Sequence, residues 1–477
     1  MPVDYDLVIV GGSLVGRYAA ARASRWGARV ALVEPPIPHP TASLSGHLLT
    51  RLSRAIRQQH WLSQAAFDHP STADCSWQAV TAWSQAVIDV VHDVSTSETA
   101  LPTLAALGVD VILEQGEFYR RPTLGIAVAG RSIRATAYLL ATATDPILPT
   151  IDGLSAIPYL TLDRLSEPSW SHLPQNWLIL GRDPRGIELA QALNRLGASV
   201  TLVTAAPRLL PQEDAEAAAL IQACLEAEGV TVLTQTQVTQ AKQFDRQIWL
   251  QVGNQAIATD VLLLATRRVP RLAGLNLEAA GVQCGPSGIR VNPKLQTSHP
   301  QIYACGEALG GYPGFHLARA EADVAIQNAL FLPIHRMNYQ PIPWALFTDP
   351  EWVRVGLTET QAHQLYGDEV RVQRQSLQTL VKAQAGADTT GFCKLITHRT
   401  GELLGAHLVA ADASECSGPL VLAIQQRLKL KHLARLPLVS PTLAEVLRQA
   451  AQTATVAQRP TWQQELLATW FGMRRSS

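Results

Sequence analysis

The residues with the clearest chemical capacity stand near the start of the chain. Gly11-Gly12-Ser13-Leu14-Val15-Gly16 follows the apolar run Leu7-Val8-Ile9-Val10 and precedes a helical stretch that continues to Arg25. A glycine turn at that place lets a pyrophosphate approach backbone N–H groups at a helix N-terminus. Ser13 stands at the middle glycine position; it is small and can donate a hydrogen bond. Glu34 closes the next strand, Arg29 to Val33, where an acid accepts the ribose hydroxyls of an adenosine. A turn, helix, strand and terminal acid at this spacing point to a bound nucleotide. The competing reading is the same unit with an empty site.

A second constellation has the same frame with altered contents. Gly181-Arg182-Asp183-Pro184-Arg185-Gly186 puts Asp183 at the middle glycine, where a side chain blocks close approach and a carboxylate repels a pyrophosphate. Thr204 stands at the end of the following strand in place of the acid that favours NAD, and Arg208 is nearby. NAD(P)H binding at this second site is therefore doubtful, unless Arg182, Arg185 or Arg267 grips phosphate in another way.

The elements that must hold these turns are two strand-helix-strand units. The first runs from Tyr5 to Val33; the second has a strand at Trp177 to Leu180, a helix to Leu196 and a strand at Ser199 to Val203. Tyr138 to Ala143 reads as a strand leading to a turn, and Val261 to Arg268 repeats that pattern. From about Pro341, short strands such as Cys393 to Thr397 and Leu403 to Val409 alternate with helices. The expected fold class is α/β, with two Rossmann-like dinucleotide-binding domains and a C-terminal α+β domain.

Composition narrows the classes. The 477 residues suffice for two to four domains, and 39 basic against 39 acidic residues give no excess for nucleic acid or a cationic partner. The six cysteines show no close pairing of the C-x-x-C kind, so no zinc site or disulfide framework is expected, and no metal. The early strand leaves no room for a signal peptide, and no apolar run approaches a membrane span; a cytoplasmic protein is expected.

Further matches make nearly the whole chain resemble the pyridine nucleotide-disulfide oxidoreductase family, whose type members are glutathione reductase, dihydrolipoamide dehydrogenase and mercuric reductase. Ala141-Thr142-Ala143 stands where that family has Ala-Thr-Gly. Tyr303-Ala304-Cys305-Gly306-Glu307 stands where it has a strand ending in Gly-Asp. Phe347-Thr348-Asp349-Pro350, Val355 to Glu359, Gly391 to Leu395 and Leu404 to His407 match its dimerisation domain. The resemblance implies an FAD-binding domain over 1–150 and 271–340, an NAD(P)-binding-like domain over 151–270 and a dimerisation domain over 341–477. It implies FAD held by Gly11, Gly12, Ser13, Gly16, Glu34, Thr142, Gly306 and Glu307, with Glu307 on the ribityl chain one methylene longer than Asp, and a homodimer.

The departures from the family are concentrated where its chemistry lies. Laid without a gap, Ala42 stands at the first redox cysteine and His47 at the second. Ser440-Pro441-Thr442-Leu443-Ala444-Glu445 keeps the frame of His-Pro-Thr-x-x-Glu with Ser440 replacing the acid/base histidine. Without a thiolate there is no attack on a disulfide and no charge-transfer pair. The resemblance places Arg51 and Glu188 as an ion pair beside flavin N5, either functional or merely structural. His47 reads equally as a proton relay near the flavin or as a polar filler. The expected function is an FAD-dependent oxidoreductase with a non-thiol acceptor, such as a quinone or an electron carrier like ferredoxin. The alternatives are a flavin-binding regulatory module, a quinone-type reductase if NAD(P)H still binds, or a second bound nucleotide, even another flavin, in the altered second site. The tail, Trp462 to Arg475, carries an apolar stripe that fits a membrane surface, although core or dimer packing is the commoner use.

Overall fold

The computed structural model describes residues 3–35, 48–57, 77–95, 98–120, 123–165, 170–245, 247–312, 314–457 and 461–476. The chain divides into two compact units, residues 1–186, 197–203 and 237–338 in the first and 187–196, 204–236 and 339–477 in the second.

The first unit holds two parallel sheets. In one, the strands lie in the order Ile302–Ala304, Ala135–Leu140, Tyr5–Val10, Val30–Val33, Asp110–Ile112. Val10 is in register with both Val33 and Leu140. Leu7 to Val10 are all buried, as a central parallel strand covered on both faces requires. Leu7, Ile9 and Leu32 are wholly enclosed, each worth about 1.5–3 kcal/mol of apolar burial. Ser13 caps the helix Leu14–Arg25, its hydroxyl accepting the Gly16 N–H at 3.3 Å. That helix buries Ala19, Ala20 and Ala23, small side chains that let it lie close on the sheet.

In the other sheet, Ser199–Val203, Asn176–Gly181, Val261–Ala265 and Leu160–Thr161 are neighbours in that order, all parallel. A short antiparallel pair, Thr144–Pro146 with Arg268–Pro270, crosses between the ends of the two sheets. One strand differs from expectation. The expected strand Tyr138 to Ala143 begins at Ala135 and ends at Leu140. Ala141 and Thr142 turn away to make room for Gly11, whose backbone lies against them at φ +108°.

The second unit is built on a five-stranded antiparallel sheet: Pro343–Leu346, Glu351–Gly356, Leu403–Ala410, Phe392–His398, Val370–Ser376. Leu395, Leu408 and Val353 from one face pack with Leu420, Val446 and Ala450 from the covering helices Ser417–Gln425 and Glu445–Ala457. The observed architecture is the expected α/β class with two dinucleotide folds and an α+β C-terminal domain. Among the described residues, no helix is long and apolar enough to cross a membrane.

Candidate functional site

The first glycine turn and the first Ala-Thr turn face one cavity in the first unit. It is lined by Gly11, Gly12, Ser13, Glu34, Thr142, Asp145 and neighbouring residues. Gly11 and Gly16 are obligatory for steric reasons, and Gly12 leaves room for the Glu34 carboxyl group. A Cβ on Gly11 would stand 2.6 Å from Ala141 O, one on Gly12 would stand 1.7 Å from the Glu34 carboxyl carbon, and one on Gly16 would stand 2.2 Å from Gly11 O. Ser13 spends its donor within the protein, on Ala141 O at 2.7 Å, and so ties the two turns together rather than reaching toward a phosphate. Among the described residues no acceptor meets the N–H groups of Gly12 and Ser13.

Glu34 is buried, and both its oxygens accept from Arg17, Oε1 from Nη2 at 2.5 Å and Oε2 from Nε at 3.1 Å. Thr142 is buried with its hydroxyl lacking a partner among the described residues. A buried orphan hydroxyl, a steric cradle and open backbone donors are what FAD would satisfy, so the residues present fit that cofactor. Gly306 sits at φ +67° and donates its N–H to Glu321 at 2.6 Å. Glu307 reaches Thr144, Oε2 accepting from its N at 3.1 Å and from its Oγ1 at 2.6 Å.

The second turn is filled by its own side chain. Asp183 is buried, and its carboxylate accepts three hydrogen bonds from Arg185: the backbone N–H at 3.0 Å, Nε at 2.9 Å and Nη2 at 2.7 Å. The backbone N–H groups of Arg182 and Asp183 both go to Ala265 O at 3.0 Å. Burial works against the Arg185 charge, but Asp183, with Asp163 and Glu307 beyond it, more than offsets this and raises its pKa. The expected repulsion therefore needs correction. Arg185 neutralises Asp183, so the helix N-terminus holds a paired carboxylate of its own chain and not a bare charge. Gly181 and Gly186 remain necessary, since a Cβ would meet Ala265 O at 1.9 Å and Ala265 Cβ at 2.5 Å.

Arg185 is thus spent, while Arg267 is exposed and donates to Ser287 Oγ at 2.9 Å. Arg268 is engaged by Asp163 at 2.7 Å, by Thr144 Oγ1 at 2.7 Å and by Thr144 O at 2.6 Å. Arg17, Thr144, Asp163 and Arg268 were not singled out by sequence. Their partners lie from 17 to 163 positions away, and no local spacing announces such pairs.

In the second unit, Glu188 is buried and accepts the Phe347 N–H at 2.9 Å. Gln191 and Arg195, on the same helix face, hold Asp349 at 2.7 Å and 2.8 Å. Arg51 lies exposed on a helix over 48–57 of the first unit. Thr204 turns its hydroxyl to the Ala206 N–H at 3.2 Å, and Arg208 donates to the carbonyls of Pro211 and Glu213 at 2.9 and 3.0 Å. Ser440 is exposed, and Glu445 accepts from the Thr442 N–H at 3.1 Å and from Arg448 at 2.9 Å. His47 and Ala42 lie outside the described residues.

The sequence matches two family profiles, Pyridine nucleotide-disulphide oxidoreductase over residues 5–328 and its dimerisation domain over 342–451. It is 30% identical over 462 residues to a mercuric reductase of Staphylococcus aureus, covering 94% of this chain and 82% of that one. It is 30% identical over 470 residues to the dihydrolipoyl dehydrogenase of Bacillus subtilis (strain 168), covering 93% and 97%. The fold is shared with the Cu(II) complex of the HOCl-induced flavoprotein disulfide reductase RclA from Escherichia coli. The TM-score is 0.80 at 22% identity, over 95% of this chain and 100% of that one. With two nucleotide turns, their crossing strands and the antiparallel C-terminal sheet in place, the chain belongs to the pyridine nucleotide-disulphide oxidoreductase family of FAD-dependent oxidoreductases.

Proposed function

We propose that this protein is an FAD oxidoreductase that works without a redox disulfide and passes electrons to a non-thiol acceptor, such as a quinone or a small electron-carrier protein. The observation that carries the reading is the self-filled second turn. With Asp183 locked to Arg185 at the helix N-terminus, NAD(P)H has no ordinary seat for its pyrophosphate. The family resemblance supports the reading: laid on the family's pattern, Ala42 and His47 fall at the redox cysteines and Ser440 at the acid/base histidine.

FAD, when bound, supplies the redox chemistry. Gly11, Gly12 and Ser13 offer the phosphate cradle, Glu34 the adenosine ribose contact, and Thr142, Gly306 and Glu307 the flavin side. Arg51 is assigned to the N5 edge, where a guanidinium stabilises negative charge. His47 is assigned to hold or move a proton there. Ser440 cannot exchange a proton near neutral pH without an activating base.

The test is anaerobic reduction of the purified flavoprotein by NADH, NADPH and reduced ferredoxin, followed in the flavin spectrum. Slow reduction by both nicotinamides and fast reduction by the carrier is expected. Fast reduction by micromolar NADH or NADPH would overturn the reading, and reduction by dithionite alone would point to a binding module instead.

A further inference from the structure

A second cavity of the first unit is lined by Thr144, Arg182, Asp183, Pro184, Thr266, Arg267, Arg268, Glu307, Gly310 and Gly311. Of the charged groups around it, most are matched within the protein. Asp183 is paired with Arg185, and Arg268 with Asp163. Glu307 is anchored on Thr144, whose hydroxyl also accepts from Arg268. Two cations remain without a carboxylate among the described residues. The Arg182 side chain has no hydrogen-bond or ion-pair partner there, and Arg267 has only the Ser287 hydroxyl. Both are exposed at the cavity. Arg182 N donates to Ala265 O, two positions before Arg267, so the two side chains spring from adjacent loops.

We propose that Arg182 and Arg267 form an anion clamp at this cavity, which takes a small redox substrate by a carboxylate or phosphate group and not as part of a dinucleotide. This rests on the reading that the second turn no longer seats NAD(P)H. A guanidinium presents a planar fork that matches two oxygens of one oxyanion, and two such forks on a concave wall select a compact, doubly charged group. The Asp183 carboxylate excludes that group from the helix N-terminus and leaves it the arginine side of the cavity. There it borders Thr144 and Glu307, the latter being the residue assigned above to the flavin side.

The probes are inorganic pyrophosphate and malonate, the first reporting phosphate and the second carboxylate. Each is titrated calorimetrically at low ionic strength into the FAD-loaded protein, the R182Q and R267Q variants and the double variant. Both side chains are exposed, and unchanged flavin absorbance certifies each variant's fold. Saturable binding of at least one probe is expected, weakened about tenfold or more by each single change and lost in the double variant. No saturable heat with either probe, or binding indifferent to both arginines, would overturn the clamp while leaving the flavin reading intact. NADPH is titrated in parallel. Should it bind at least about tenfold tighter than pyrophosphate, the cavity is a dinucleotide site, and both proposals fall.

Discussion

At the scale of single residues, the two glycine turns start from one plan and end with opposite occupancy. Ser13 spends its hydroxyl on Ala141 O, and the first turn keeps its backbone donors open. Asp183 spends its carboxylate on Arg185, and the second turn closes. Asp183→Gly should reopen it by removing the internal anion and releasing both the Arg185 N–H and its guanidinium. The net worth of one charge-assisted contact is about 1.5–3 kcal/mol. NADPH binding should therefore tighten more than about tenfold, as titration of both proteins by heat would show. An unchanged affinity would mean that occupancy is not what bars the site. Ser13→Ala removes a helix cap and the tie to Ala141, and should cost about 1 kcal/mol in unfolding free energy, measurable by urea titration. The sequence located both glycine turns and the position of Asp183 in the second, because glycine spacing is local. It did not show that Arg185 neutralises Asp183 or that Arg17 holds Glu34. Those depend on side-chain rotamers and on chain returns that spacing does not encode.

At the scale of elements, the strands of the second unit align basic side chains in one cross-sheet row. Arg354 is in register with His407, His407 with Lys394, and Lys394 with Arg374. Acids at the start of the helix Ala215–Ala227 meet that row: Glu213 on Arg354 at 2.7 Å, Asp214 and Glu216 on Lys394 at 3.1 and 2.8 Å. His407 is wholly buried, and burial pushes its pKa down to about 4, with Asp214 opposing and Arg354 and Lys394 assisting. It is therefore neutral in the fold. Above its ordinary value near 6.5 neither state is protonated and stability is full. As pH falls toward about 4, the unfolded chain takes up a proton that the folded one refuses, and up to about 3 kcal/mol is lost. His407→Leu should remove that part of the acid sensitivity. The check is the drop in unfolding free energy between about pH 7 and about pH 4.5, which should be smaller in the variant. Equal drops would place the acid sensitivity in the carboxylates alone. The strands Cys393 to Thr397 and Leu403 to Val409 were legible within a residue at each end. The charge row was not, because it needs the register between strands, and register is set by tertiary pairing.

For the whole molecule, the dimerisation profile over residues 342–451 predicts a two-fold homodimer, with a light-scattering mass twice the 51.7 kDa of one chain. A monomeric mass at micromolar concentration would count against it. On the proposed reading the dimer bears on activity, because the resemblance puts Ser440 where the family has an acid/base histidine that acts across it. Thiol reduction needs a thiolate to attack the substrate disulfide, a second sulfur to resolve the mixed disulfide and an acid to protonate the leaving thiol. On the proposed reading, Ala42, His47 and Ser440 stand where all three would be, and none of them can serve. Among the described cysteines, Cys305, Cys393 and Cys416 are buried with thiol pKa values pushed up by desolvation, which suppresses the thiolate. No single replacement restores the pathway, since each function fails independently of the others. Glutathione, lipoamide and thioredoxin should therefore be turned over no faster than by free FAD at the same concentration, with any of the three electron donors. Turnover above that background, abolished by removing one of the remaining cysteines, would reveal a disulfide route that the alignment of Ala42 and His47 does not contain.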